Sequence, residues 1–118
     1  MMRPEDGVRV YLCQGTVDMR KSINGLSILV EAVLSLDPFA PHIFAFCNRK
    51  KDKVKVLYWE GNGFVLWYKR FEKHRVYWPR ESEDGVTKMT GRELNWLLDG
   101  YDLSKLTPHS KLSYSTVL

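Results

Sequence analysis

The sequence predicts an α+β domain: a mainly antiparallel sheet of four to five strands, with one long helix packed on a face and a short C-terminal helix. Three observations predict it. Apolar, β-branched and aromatic runs of strand length recur through the first eighty residues. One stretch, residues 22–35, changes from that pattern to helical spacing, and a second helix signal follows residue 89.

The elements follow in order. "VRVYLC" (8–13) alternates as a strand and is closed by Gly15. In residues 22–35, Ile23, Leu26, Val30, Val33 and Leu34 fall on one side, while Ser27 and Glu31 fall away from it, which is the pattern of an amphipathic helix. Asp37-Pro38 should stop it, because the residue before proline is pushed out of the helical region. "HIFAFCN" (42–48) is a second strand and "RKKDK" a polar turn of hairpin length. "VKVLYWE" and "GFVLWYKRFE" are strands three and four, separated by Gly61-Asn62-Gly63, whose glycines can adopt the positive φ of a tight hairpin. The chain turns again at Lys73-His74 into "RVYWP", which Pro79 ends. After an acidic connection, "TGRELNWLLDG" sets Thr90 and Glu93 at capping-box spacing, with a stripe of Leu94, Leu97 and Leu98 and with Gly100 placed to end the helix. Residues 1–100 read as a single domain and 101–118 as a mobile tail.

Composition narrows the function. At 118 residues, 44% hydrophobic and 27% charged, the chain is an ordinary globular domain without a collagen-like, coiled-coil or disordered bias. No apolar run approaches the roughly 20 residues that span a bilayer, and Glu5 and Asp6 lie where a signal peptide would be apolar. A cytoplasmic protein without a membrane partner is expected. Cys13 and Cys47 each sit in an apolar stretch, so buried reduced thiols are expected rather than a disulfide.

The net charge of +4 hides an asymmetry. Residues 49–80 hold ten Lys and Arg against three acids, together with eight of the fifteen aromatics; the remainder holds eight bases and eleven acids. In strand four, Phe64, Leu66, Tyr68 and Arg70 point one way and Val65, Trp67, Lys69 and Phe71 the other, so neither face is plainly polar. One face should pack under the helices and the other keep aromatics exposed among cations, with Trp67 and Lys69 chosen for the exposed side. Such a surface suits nucleic acid: the cations neutralise phosphates and release counterions, and the rings stack on bases or sugars. The competing reading makes Trp59, Trp67 and Trp78 large core residues and Lys50, Lys51 and Lys53 a solvated turn that discourages edge pairing. In "GTVDMRKSINGL", Asp18 can cap the coming helix, and Arg20 and Lys21 sit near its positive end, where they favour an anion.

Catalytic patterns are poor. No phosphate loop is present, no Cys/His pair has zinc spacing, and Asp18, Asp37 and Glu60 have no recognisable nuclease spacing. Neither a catalytic residue, a metal site, a cofactor nor a small-molecule substrate is expected. A nuclease using Asp18 and Glu60 is the weakest alternative.

"VDMRKSINGL", "DPF", the block FxFxNRKxDxxKxLYWEGNGFxLWYKR read from Phe44 to Arg70, and "TGRELNWLLDG" together resemble the TnpB-type accessory proteins of the insertion sequence 66 family of bacterial mobile elements. These are distinct from the RNA-guided nucleases of the same name. The resemblance covers about nine-tenths of the chain. Cys47 stands where relatives commonly have a basic or polar residue, and Val76 where an aromatic is usual. The resemblance implies a non-catalytic accessory protein of transposition that works beside a separate transposase carrying the acidic catalytic residues. Joined to the charge pattern, it gives a protein that binds DNA at element ends through Arg49, Lys50, Lys51, Lys53, Lys55, Trp67, Lys69 and Arg70, with Arg20 and Lys21. Trp59 and Tyr68 are further stacking or partner residues. The alternative is an interaction subunit that docks the transposase without touching DNA.

Overall fold

The computed structural model describes residues 3–79 and 85–105. Five strands, β1 (Arg9–Cys13), β2 (Ile43–Cys47), β3 (Lys53–Glu60), β4 (Gly63–Arg70) and β5 (Val86–Thr90), form one sheet in the order β4-β3-β2-β1-β5. Two helices, α1 (Ile23–Ala32) and α2 (Gly91–Leu98), accompany it. The sheet is mixed. β2–β3, β3–β4 and β1–β5 are antiparallel, whereas β1 and β2, joined through α1, are parallel.

The central strand explains this arrangement. "IFAFC" is buried at all five positions, as a strand covered on both faces must be, and continuous apolar runs belong to that setting. Phe44 and Phe46 face α1 with Tyr11, Cys13, Leu26, Val30, Leu57 and Val86. Ile43, Ala45 and Cys47 face the other way, onto α2, with Val10, Leu12, Val54, Val56, Val76, Trp78, Met89 and the three leucines of α2.

Three sequence expectations need correction. The helix is ten residues long, not a long helix over 22–35: Ser35 takes a left-handed φ of 58° and the Leu36 N–H closes back on the Val30 carbonyl. The hairpin loop is two residues, since Glu60 pairs with Gly63 and Gly61 alone takes a positive φ, +62°, as the first turn residue. The fifth strand is Val86–Thr90, and "RVYWP" joins no ladder. That segment crosses the α2 face as a strap, burying Val76 and Trp78 while Arg75 and Tyr77 stay exposed.

The second helix follows its signal. The Thr90 hydroxyl accepts from the Glu93 N–H at 3.2 Å, and Glu93 Oε1 accepts from the Thr90 N–H at 2.9 Å. Gly100, at φ +97°, ends it. A short 3-10 turn, Leu103–Lys105, adds Leu103 to the core; the rest of the expected tail lies outside the described residues.

Glu93 is fully buried, and its Oε2 has no partner among the described residues. Burial raises the carboxyl pKa above its ordinary value, against the opposing pull of the Thr90 hydrogen bonds. The folded state therefore holds this proton more tightly than the unfolded state. The group's contribution is fully present below the unfolded carboxylate pKa and is lost as pH rises through the folded one. Glu93→Gln keeps the capping acceptor and should flatten the loss of stability that the parent shows as pH rises above the ordinary carboxylate range. Denaturant midpoints across that rise check it; parallel curves would show that the proton contributes nothing.

Candidate nucleic-acid interface

Two loops distant in sequence meet at one end of the β3–β4 hairpin, on the α1 side. The β2–β3 turn is organised by Asn48. Its Oδ1 accepts the N–H groups of Asp52 and Lys53 at 3.1 and 3.0 Å, and its Nδ2 donates to Asp52 Oδ1 at 2.7 Å. The Asn48 hydrogen bond holds the Asp52 carboxyl below its ordinary pKa. Lys51 takes the left-handed conformation this turn requires, φ 62°, which leaves Arg49 and Lys50 exposed at the tip.

The β1–α1 loop is fastened beside it. The Val17 N–H donates to the Cys47 carbonyl, and Lys55 Nζ donates to the carbonyls of Met19 and Lys21 at 2.6 and 2.7 Å. Within the loop, Asp18 accepts from the Arg20 backbone N–H and guanidinium, which pull its carboxyl down to about 2. Contrary to the sequence expectation, Asp18 does not cap α1; Ser22 is the N-cap, without a side-chain hydrogen bond.

Between the loops runs an open groove of about 800 Å³, lined by Thr16 to Arg20, Asn48 to Lys50, Lys53 and Tyr68. Tyr68 is 48% exposed, and Lys55 Nζ lies 5.8 Å from its ring centroid. Strand pairing sets Lys53 opposite Arg70 and Lys55 opposite Tyr68, so these four side chains share the α1 face.

The predicted site residues thus divide. Arg20, Arg49, Lys50 and Lys53 line the groove, and Lys21 is exposed in the same loop as Arg20. Arg70 is exposed on the same face but pairs with Glu72 at 2.7 Å, as Arg20 does with Asp18 at 2.7 Å and Lys53 with Asp52 at 3.3 Å. Lys55 is the bolt that holds the loop, and Lys51 is half-buried within the turn. Trp67 and Lys69 belong to the opposite face, and that face is covered. Trp67 packs on the α2-side core, and Lys69 Nζ donates to the Leu98 carbonyl at 2.8 Å, a cation on a helix C-terminus. The choice of their side as the exposed one is corrected accordingly. Trp59 joins Phe39 and Phe64 in an aromatic cluster at the far end of the hairpin.

The sequence reading missed Thr16 and Asn48. Asn48 and Asp52 frame the basic run at a spacing suited to side-chain capping of a turn, a signal that was there to be used. Asp18 and Glu60 line different pockets, and among the described residues no three His, Cys, Asp or Glu side chains cluster to hold a metal. Cys13 and Cys47 are free and buried; burial pushes the Cys47 thiol up to about 11. No described helix is long and apolar enough to cross a membrane.

Residues 8–108 match the family described as IS66 Orf2-like protein. Two uncharacterized proteins of Sinorhizobium fredii are similar: y4jC is 32% identical over 106 residues, covering 90% of each chain, and y4hO is 33% identical over 102 residues, covering 86% of this chain and 88% of its own. No solved structure matches. A match across the whole sheet, both helices and the groove places the chain within one family: it belongs to the IS66 Orf2-like proteins of insertion sequences.

Proposed function

We propose that this protein is a non-catalytic accessory factor of transposition that binds DNA at the ends of its element and helps place a separate transposase there, in the cytoplasm. The observation that carries the reading is convergence. Arg20 from one loop and Arg49, Lys50 and Lys53 from another surround a single exposed tyrosine in one open groove. Cations gathered along one open groove can neutralise phosphates, and the Tyr68 ring offers a stacking or sugar contact beside them. Fastening the loop through Lys55 fixes the groove before any ligand arrives, which lowers the ordering cost of binding. Family membership supports the transposition setting and, with it, the reading of a partner transposase.

The salt dependence of duplex binding tests this. Each neutralised phosphate contributes a log–log slope of about −0.9, so Arg49→Ala/Lys50→Ala/Lys53→Ala should bind more weakly and lose roughly 2 to 3 units of slope. Lys55 is left intact because its removal would free the loop. Circular dichroism should show parental folding. An unchanged slope and affinity in the folded variant would remove the groove from the interface, and capture of the transposase without DNA binding by the parent would favour the interaction-subunit reading.

A further inference from the structure

Among the described residues, no strand pairs with the outer edge of β4. The Phe71 N–H donates to the Asp52 carbonyl, and Glu60 pairs with Gly63 across the two-residue loop, so the odd-numbered residues of β4 direct their backbone groups to β3. The N–H and C=O groups of Phe64, Leu66, Tyr68 and Arg70 therefore point outward. Among the described residues none bonds to them. Natural edges of this length are blunted by charge, proline or a bulge. Here the charge is confined to Lys69 and Arg70 at the C-terminal end, and the six residues from Gly63 to Tyr68 carry none of these, whereas the other edge strand, β5, is only five residues with exposed Lys88 at its centre.

We propose that β4 is the contact strand of a two-fold dimer, in which the β4 strands of two copies pair antiparallel and fuse the sheets into one. The strand is self-complementary for this. A register centred on Trp67 sets Leu66 opposite Tyr68 of the second copy, Val65 opposite Lys69, and Phe64 opposite Arg70. The outward-pointing residues then meet one another, as hydrogen bonding requires. Each cation faces an aromatic or aliphatic side chain, and no like charges oppose. A slip of one residue would bring the α1 face of one copy against the α2 face of the other, so parity selects registers of this kind. The two-fold axis stands perpendicular to the sheet, so both grooves open on one side. Six residues of stagger separate the two Arg70 positions by about 20 Å along the strands, which keeps the two basic clusters apart.

Sedimentation equilibrium of the full chain tests the dimer without DNA. The parent should behave as two chains. Tyr68→Pro removes one outward N–H and no β3 bond, and should give a folded monomer. Val65→Lys places like charges opposite at both symmetry-related contacts and should weaken the dimer about tenfold, whereas Val65→Glu should tighten it. A strand that merely tolerates these changes would not respond in opposite directions. A parent monomeric at every concentration tried overturns the proposal, as does a dimer that both Val65 variants leave unchanged.

Discussion

Gly91→Ala should cost about 3 kcal/mol or more and lower the melting temperature by roughly 10 °C or more. Gly91 is the first residue of α2, and a methyl there would overlap the Glu5 carbonyl oxygen and meet Val8 Cγ1 at 2.9 Å. Neither neighbour is the free end of a flexible side chain. The N-terminal segment lies against the helix start because it supplies acceptors: Gly91 N–H donates to the Val8 carbonyl and Arg92 N–H to that of Asp6, while Asn95 Nδ2 donates to the Pro4 carbonyl and Arg3 pairs with Asp99 at 3.0 Å. Two of the helix's orphan donors are thus satisfied by chain that must pass close to it. Relief of the overlap would pull the segment off these donors. Gly15→Ala, where a methyl meets nothing within 4 Å, is the control and should be nearly neutral. A Gly91→Ala midpoint equal to that of the parent would mean the segment does not pack here in solution.

What could be read from the sequence follows from what was local. The capping box of Thr90 and Glu93, the presence of a β3–β4 hairpin at Gly61, though not its loop length, and the buried thiols are decided within a few residues, and each of these stands as expected. The parallel pairing of β1 and β2 was legible in principle, because a helix between two strands with an unbroken apolar second strand is the pattern of a covered parallel pair. The exposed face could not be read this way. Trp67 and Lys69 alternate with Tyr68 and Arg70 along one strand, and only the arrival of the strap, about ten residues later, and of α2, more than twenty residues later, decides which pair is covered. A lysine on a helix C-terminus and a lysine on a phosphate look alike in sequence. Lys55 was hidden for the same reason, since the two carbonyls it holds lie more than thirty residues away.

Trp78→Ala should remove about 3 to 5 kcal/mol, the usual loss for a buried tryptophan. The strap that carries Trp78 has no ladder to hold it. It is fixed by the burial of Val76 and Trp78, by the Trp78 indole N–H donating to the Cys13 carbonyl at 2.8 Å, and by the Val76 N–H donating to the Lys51 carbonyl at 2.8 Å. Trp78→Phe keeps most of the volume but leaves a buried carbonyl without its donor, so an intermediate loss of about 1 to 3 kcal/mol is expected. Urea midpoints should rank parent, Phe, Ala; a Phe variant as stable as the parent would show that the indole hydrogen bond contributes nothing. Lys51 belongs to the turn that presents Arg49 and Lys50 to the groove. The strap therefore braces the basic turn from behind, and its release should reach the proposed interface. Hydrogen exchange at the Val76 amide should quicken in Trp78→Ala under conditions where the domain remains folded. DNA affinity should fall with it, although Trp78 lies beneath the opposite face of the sheet and no phosphate can touch it.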